Sequence, residues 1–239
     1  MSETTDSSVA LEPVDFATSA LNHARLCEAK GDRRAAMKAY AHAWRASATA
    51  DNAVLPSIAR SEMYSMSLLI NDTVFSSYLY RELISTFSLQ YREMAALAHH
   101  DLGKLFRNAW QHGEIVNPSD AIKHFVVARD EFIALWEARN AALVEMDLAH
   151  IYMHIDKLDQ AVVLLESARA TWQSLGESSG AAEAALSIGD CLTLLGRNEE
   201  AVGVYQLAVE DFEVAGNEQQ MALASERAQA DYNTATSEQ

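Results

Sequence analysis

Lys104 and Arg107 stand three residues apart, with His100 four residues before Lys104, and His150 and His154 stand four apart. Residues spaced by three or four share one face of an α-helix. Such a face could seat an anionic group of a partner, a C-terminal carboxylate, an acidic side chain or a phosphate, through charge-assisted hydrogen bonds. The alternative is that Lys104 and Arg107 pair with Asp101 and other acids on a solvated face. His150 and His154 could also ligate a metal with His100 as third ligand. The run His150-Ile151-Tyr152-Met153-His154 lacks the His-Glu-x-x-His pattern, so no metal site is assigned. No Ser-His-Asp, Cys-His or Gly-rich phosphate signature occurs, and the chain reads as a non-enzyme without a cofactor. Cys27 and Cys191 lie inside apolar helical patterns without ligand spacing. They read as reduced thiols, which favours a cytoplasmic setting.

The elements that must position these residues repeat along the chain. Ala36, Ser76, Ala121, Ala161 and Ala201 are small residues about 40 apart, followed four later by Tyr40, Tyr80, Phe125, Leu165 and Tyr205. Three further on come Ala43, Leu83, Ala128, Ala168 and Ala208, and then Ser47, Phe87, Phe132, Trp172 and Phe212. Steps of 4, 3 and 4 put them on one helix face, here called helix B. Twelve positions before the small residue, a preceding helix A carries Ala24, Tyr64, Ala149 and Gly189, with Gly103 aligned to them in the third repeat. Gly31, Asn71, Asp156 and Gly196 should end those A helices, because these residue types tolerate a left-handed backbone. Pro13, Pro56 and Pro118 fall where helices should begin. In the third repeat extra residues, Trp110 to Asn117, read as a loop between helices A and B. Trp110 and Ile115 are apolar there without a core period, a candidate loop contact.

The expected class is therefore all-α: five helical hairpins and a capping helix, Glu218 to Asn233. Residues 13–233 form one domain, with disordered tails at 1–12 and 234–239. Basic residues number 18 and acidic 34, a net charge of −16, which argues against binding a nucleic-acid backbone. No apolar run approaches the ~18 residues of a membrane span, so neither nucleic acid nor membrane is an expected partner. The charge is uneven. Residues 140–239 carry 4 basic and 17 acidic residues, net −13. That bias reads as a solvating surface, or as steering of a basic partner.

The small, aromatic and glycine positions resemble the tetratricopeptide repeat. The match is best in Leu148-Ala149-Tyr152-Asp156-Ala161-Leu165-Ala168 and Ile188-Gly189-Leu192-Gly196-Ala201-Tyr205-Ala208. The period of about 40 exceeds the common ~34 and is similar to the longer-helix variety. The resemblance implies a right-handed α-solenoid that binds a protein or peptide in a groove lined by A helices. The alternatives are a sensor of a small ligand or signalling peptide, or a structural subunit of a larger complex. Counting the small residue of helix A as position 8, the groove should be lined by positions 2, 5, 9, 12 and 13. The candidate groove residues are His100, Lys104, Arg107, Asn108, Met146, His150, Met153 and His154. Repeat five contributes Glu183, Leu186, Asp190, Thr193 and Leu194 to the same positions.

Overall fold

The computed structural model describes residues 12–49, 54–87, 90–114 and 117–237. Among them every regular element is an α-helix. The A helices are α1 (Pro13–Ala29), α3 (Val54–Ile70), α5 (Arg92–Gln111), α7 (Ala138–His154) and α9 (Ser178–Leu194). The B helices are α2 (Arg33–Ser47), α4 (Thr73–Phe87), α6 (Pro118–Ala134), α8 (Leu158–Ser174) and α10 (Asn198–Ala215), and α11 (Glu218–Ser237) follows. The chain is an all-α array of helical hairpins. Residues 234–237, assigned to a tail by the sequence pattern, continue α11 as helix. Ile115 and residues 1–11 lie outside the described residues.

The sequence marks one continuous domain, whereas the backbone packing groups the chain into two compact bodies, one ending at Leu105 and one beginning at Phe106. The division falls inside α5, in the repeat whose A–B connection is lengthened. In the first body α2 packs on α1 and α3; in the second α6 to α11 pack each on the next.

Burial follows the B-helix register. Each small, bulky, small and aromatic position named above is buried, none more than 3% exposed. In repeat one Ser47 takes the aromatic position and turns its hydroxyl to the Trp44 carbonyl, 2.9 Å away, while the fully buried Trp44 indole fills the core in its place. A buried Phe contributes about 1.5–3 kcal/mol against leaving it in water. These rows therefore hold hairpin to hairpin. On the A side Gly189 leaves room for a B-helix ring, since a Cβ there would stand 2.4 Å from Tyr205 Cε1.

The chain reversals come where expected. Gly31, Asn71, Asp156 and Gly196 take φ of 77°, 52°, 60° and 72°, and behind them the amide of the next residue bonds back, as from Lys157 to the Tyr152 carbonyl at 2.8 Å and from Arg197 to Leu192 at 2.9 Å. Asn117 caps α6, its side chain accepting from the Ser119 amide at 2.9 Å, with Pro118 as first helical residue.

The B-to-A reversals use the same closure, with Glu137, Glu177 and Asn217 amides donating to the Phe132, Trp172 and Phe212 carbonyls. The left-handed residue is Gly176 in repeat four and Gly216 in repeat five, but Trp136 in repeat three, at φ 62° and 93% exposed. A left-handed L-residue costs roughly 1–2 kcal/mol, and glycine at a fixed position costs about 0.5–1 kcal/mol in chain entropy. Trp136→Gly is thus expected to leave stability unchanged or raise it by up to about 1 kcal/mol, read as the urea midpoint. A midpoint lowered by an equivalent amount would show that the indole packs where the structure leaves it bare.

Candidate functional site

In the first body the site is built on α3 and α5. Arg60 reaches from α3 to Asp101 on α5, its Nε donating to Oδ2 at 2.7 Å and its Nη2 to Oδ1 at 2.8 Å. Lys104, one turn along α5, donates to Asp101 Oδ1 at 3.3 Å and sits 4.0 Å above the Tyr64 ring. Asp101 is buried. Burial alone pushes its carboxyl up, but the charge and hydrogen bonds of Arg60, with Lys104 and His100, reverse this and hold it below the usual carboxylate range. His100 is itself buried beside this cluster. The expected cation Lys104 is thus only partly exposed, and it shares Asp101 with Arg60. Two cations meet one carboxylate, leaving one positive charge.

In the second body Arg107 pairs with Asp147 on α7, both side chains about one-fifth exposed, and its guanidinium lies 5.9 Å from the Phe125 ring centre. Half-exposed Asn108 gives its backbone carbonyl to the His112 Nδ1–H at 2.8 Å. His154 turns its Nδ1–H back to the His150 carbonyl at 2.6 Å and meets the Trp110 ring edge-on at 6.0 Å. Trp110 therefore belongs to the last turn of α5 and not to the connecting loop, because α5 runs on to Gln111. Burial lowers the His150 pKa, as do Arg107 and His154, while Asp147 and Asp190 oppose this without cancelling it. Its charge change comes below its ordinary range.

Met146 is in the core. It is 8% exposed and its sulfur accepts from the Trp172 Nε1–H at 3.3 Å. The reason lies in its position: of the position-5 residues, Leu21, His100 and Met146 are buried and Leu186 is half-buried, while the small Ser61 of repeat two is exposed, so outside repeat two this position faces the hairpin interior. Positions 9, 12 and 13 carry the open face, which brings Met153 and His154 of α7 and Asp190, Thr193 and Leu194 of α9 to one side of the second body. Met153, Asp190, Thr193 and Leu194 line a cleft of about 460 Å³ with Tyr205 of α10 and Arg227, Ala230 and Asp231 of α11. Asp190 accepts from the Tyr205 hydroxyl at 2.8 Å and from Arg227; Asp231 accepts from the Thr193 hydroxyl. Burial pushes the Tyr205 phenol up, reinforced by its hydrogen bond to Asp190 and by the charges of Asp190 and Asp231. Cys191, beside Asp190, is buried and its thiol is pushed up to about 11 by burial and that charge. It is held as the inert thiol. Among the described residues no three His, Cys, Asp or Glu side chains gather as a metal site.

Residues 140–213, which make up most of repeats four and five, match the family model of the tetratricopeptide repeat. Solved structures extend the likeness over the rest of the chain. BtubC (BKLC) from P. vanneervenii superposes with a TM-score of 0.59 at 13% identity, over 95% of this chain and 93% of that one. Residues 140–213 are thus tetratricopeptide repeats, and the chain as a whole has the helical-repeat fold of these structures. A signal-transduction ATPase with a tetratricopeptide repeat sensor, from Pyrococcus horikoshii, superposes at 0.66 and 13% identity over 91% of this chain and 33% of its own. The Rap conjugation gene regulator of plasmid pLS20, solved with the Phr* peptide, does so at 0.56 and 14% identity over 94% and 62%. No curated protein matches the chain in sequence. No described helix is long and apolar enough to cross a membrane.

The ion pairs recur with the repeat itself. Arg60–Asp101 and Arg107–Asp147 each tie one A helix to the next, and Asp190–Arg227 ties α9 to α11 in the same way, at separations of 41, 40 and 37 residues. Sequence reasoning assigned α11 to a cap and passed over Arg227 and Asp231. The signal was present, since opposite charges spaced by one repeat can meet on neighbouring A helices.

Proposed function

We propose that this chain is an interaction module that recognises a protein or peptide partner on the open faces of its A helices, with an anionic element of that partner seated at Lys104. The carrying observation is the surplus of charge at α5: Arg60 and Lys104, each about one-quarter exposed, share the single carboxylate of Asp101, which Lys104 holds by one bond of 3.3 Å against two shorter ones from Arg60. A carboxylate or phosphate from outside would complete the pairing. The regulator solved with the Phr* peptide has this fold, which supports a peptide or protein as the kind of partner. In the second body, Arg107, Asn108, His150, Met153 and His154 offer the corresponding open face, with Arg107 already neutralised by Asp147.

The test begins with the partner, obtained by affinity purification of the tagged chain from its native cell and identified by mass spectrometry. Lys104→Ala is expected to speed its dissociation and flatten the salt dependence of binding, at a stability cost of about 1–2 kcal/mol for the lost Asp101 bond and Tyr64 contact, which leaves the chain folded under the binding conditions. The control must lie outside the contacts between helices, which excludes Arg33 and Arg34, bonded to the Leu69 carbonyl and Asp72. Lys123→Ala, on a side chain 73% exposed, serves instead and should do nothing. Wild-type affinity of the Lys104→Ala protein at low ionic strength would remove Lys104 from the seat. Protonation of His150 would add a positive charge to this face and tighten binding of an anionic element as pH falls, but only below the ordinary histidine range of ~6.5, because its charged form is disfavoured.

A further inference from the structure

The cleft between α7, α9, α10 and α11 in the second body has a charge pattern opposite to that at Lys104. Its ionisable lining consists of two carboxylates, Asp190 and Asp231, one guanidinium, Arg227, and the Tyr205 phenol. Arg227 and Tyr205 are both spent on Asp190. Asp231 is only 6% exposed, yet among the described residues its one hydrogen bond comes from the neutral hydroxyl of Thr193. A buried carboxylate with no cation against it is costly unless a positive group comes from elsewhere. The rest of the wall is apolar. Met153 is half-buried and Leu194 is 65% exposed at the rim, a surface suited to an aliphatic stem whose charged head lies beyond it. The cleft, of about 460 Å³, falls within the range of sites that take a small molecule or a side chain.

We propose that this cleft receives the basic side chain, arginine or lysine, of a partner polypeptide. The head group enters between Asp231 and Asp190, and the stem lies along Met153 and Leu194. The net charge of −13 over residues 140–239 draws a basic segment toward this body. This inference rests on the interaction-module reading but names a different seat from Lys104 and the opposite charge.

The probe is N-acetyl-arginine amide, titrated into the full chain and followed by amide chemical shifts, with N-acetyl-citrulline amide as the neutral isostere. Saturable shifts centred on Asp190, Thr193 and Asp231 are expected with the arginine compound, and binding at least about tenfold weaker with the citrulline one. Asp231→Asn, which keeps shape and removes charge, should bring the arginine compound down to the citrulline level. Leu194→Lys is the second variant, because its exposed position spares the fold if Asp231→Asn does not; a tethered ammonium at the rim should weaken the probe by a similar factor. Equal affinity for the two compounds, shifts centred elsewhere, or an unchanged affinity in Leu194→Lys would overturn the assignment. If the probe fails while the purified partner still binds the chain, the cleft inference falls and the interaction reading stands. If the probe binds as described while Lys104→Ala leaves partner affinity unchanged, the cleft inference stands and the Lys104 seat falls.

Discussion

Asp101→Asn is expected to destabilise the chain by about 3–5 kcal/mol, because it leaves the Arg60 guanidinium buried without its counter-charge. Arg60 Nε and Nη2 both donate to this one carboxylate, and Lys104 adds a third bond. The asparagine keeps the volume and one acceptor, so the loss reads as charge and not as a cavity. The same pair sets an acid response. The Asp101 carboxyl titrates lower in the folded chain than in the unfolded one, so its contribution is present above the unfolded pKa near ~3.9 and disappears as pH falls through the lower, folded value. The urea midpoint of the wild type should therefore fall steeply below about pH 4, and that of Asp101→Asn less so. Arg60→Met with Asp101→Leu, an apolar replacement of the whole pair, should recover much of the loss. If Asp101→Asn alone costs under 1 kcal/mol, water reaches the pair and the cluster at Lys104 is more open than its burial indicates.

What could be read in the sequence follows from what each position demands. Ala161 and Ala201 must be small because two helices close on them, and Phe132 or Phe212 must be large because it closes the core behind them; both are fully buried in register. The left-handed turns at Gly31 and Asp156 were legible for the same reason, since few residue types fit that backbone. Trp136 breaks that rule. Its φ is imposed by the Glu137-to-Phe132 closure that the flanking repeat sequence makes, a tertiary and periodic demand that overrides the residue's own preference.

The site was less legible because a groove is defined by rotation of a helix face, and an alignment of small residues fixes the axial register more tightly than the rotation. Position 5 shows the error: the face turns inward far enough to bury His100 and Met146. Charge was the other difficulty. Lys104 and Arg107 stand out against a net charge of −16, yet what they meet, Asp101 one turn back and Asp147 one repeat later, decides how much of that charge a partner encounters. The cleft at Asp190 and Asp231 was hidden for the converse reason: three of its eight lining residues belong to α11, whose pattern of Met221, Leu223, Ala224 and Ala228 speaks only of covering an end.

Trp172→Ala is the second large effect, expected at about 3–5 kcal/mol. The indole is 3% exposed in a core with Leu165, Ala168, Met146 and Ile188, donates to the Met146 sulfur, and lies under the Arg139 guanidinium at 5.9 Å. Alanine leaves a cavity and removes the donor to the Met146 sulfur. The same indole explains Gly180. A Cβ at Gly180 would stand 2.5 Å from Trp172 Cδ2, closer than real side chains approach, so Gly180→Ala in the wild type should overpack and cost about 1–3 kcal/mol. With the indole gone, that methyl has room and begins to fill the void. The double variant Trp172→Ala, Gly180→Ala should therefore be more stable than the sum of the single losses by about 1–3 kcal/mol, a coupling that only residues in contact show. Urea midpoints of the four proteins measure it. Additive losses would mean that the α8 indole does not lie against α9 at Gly180.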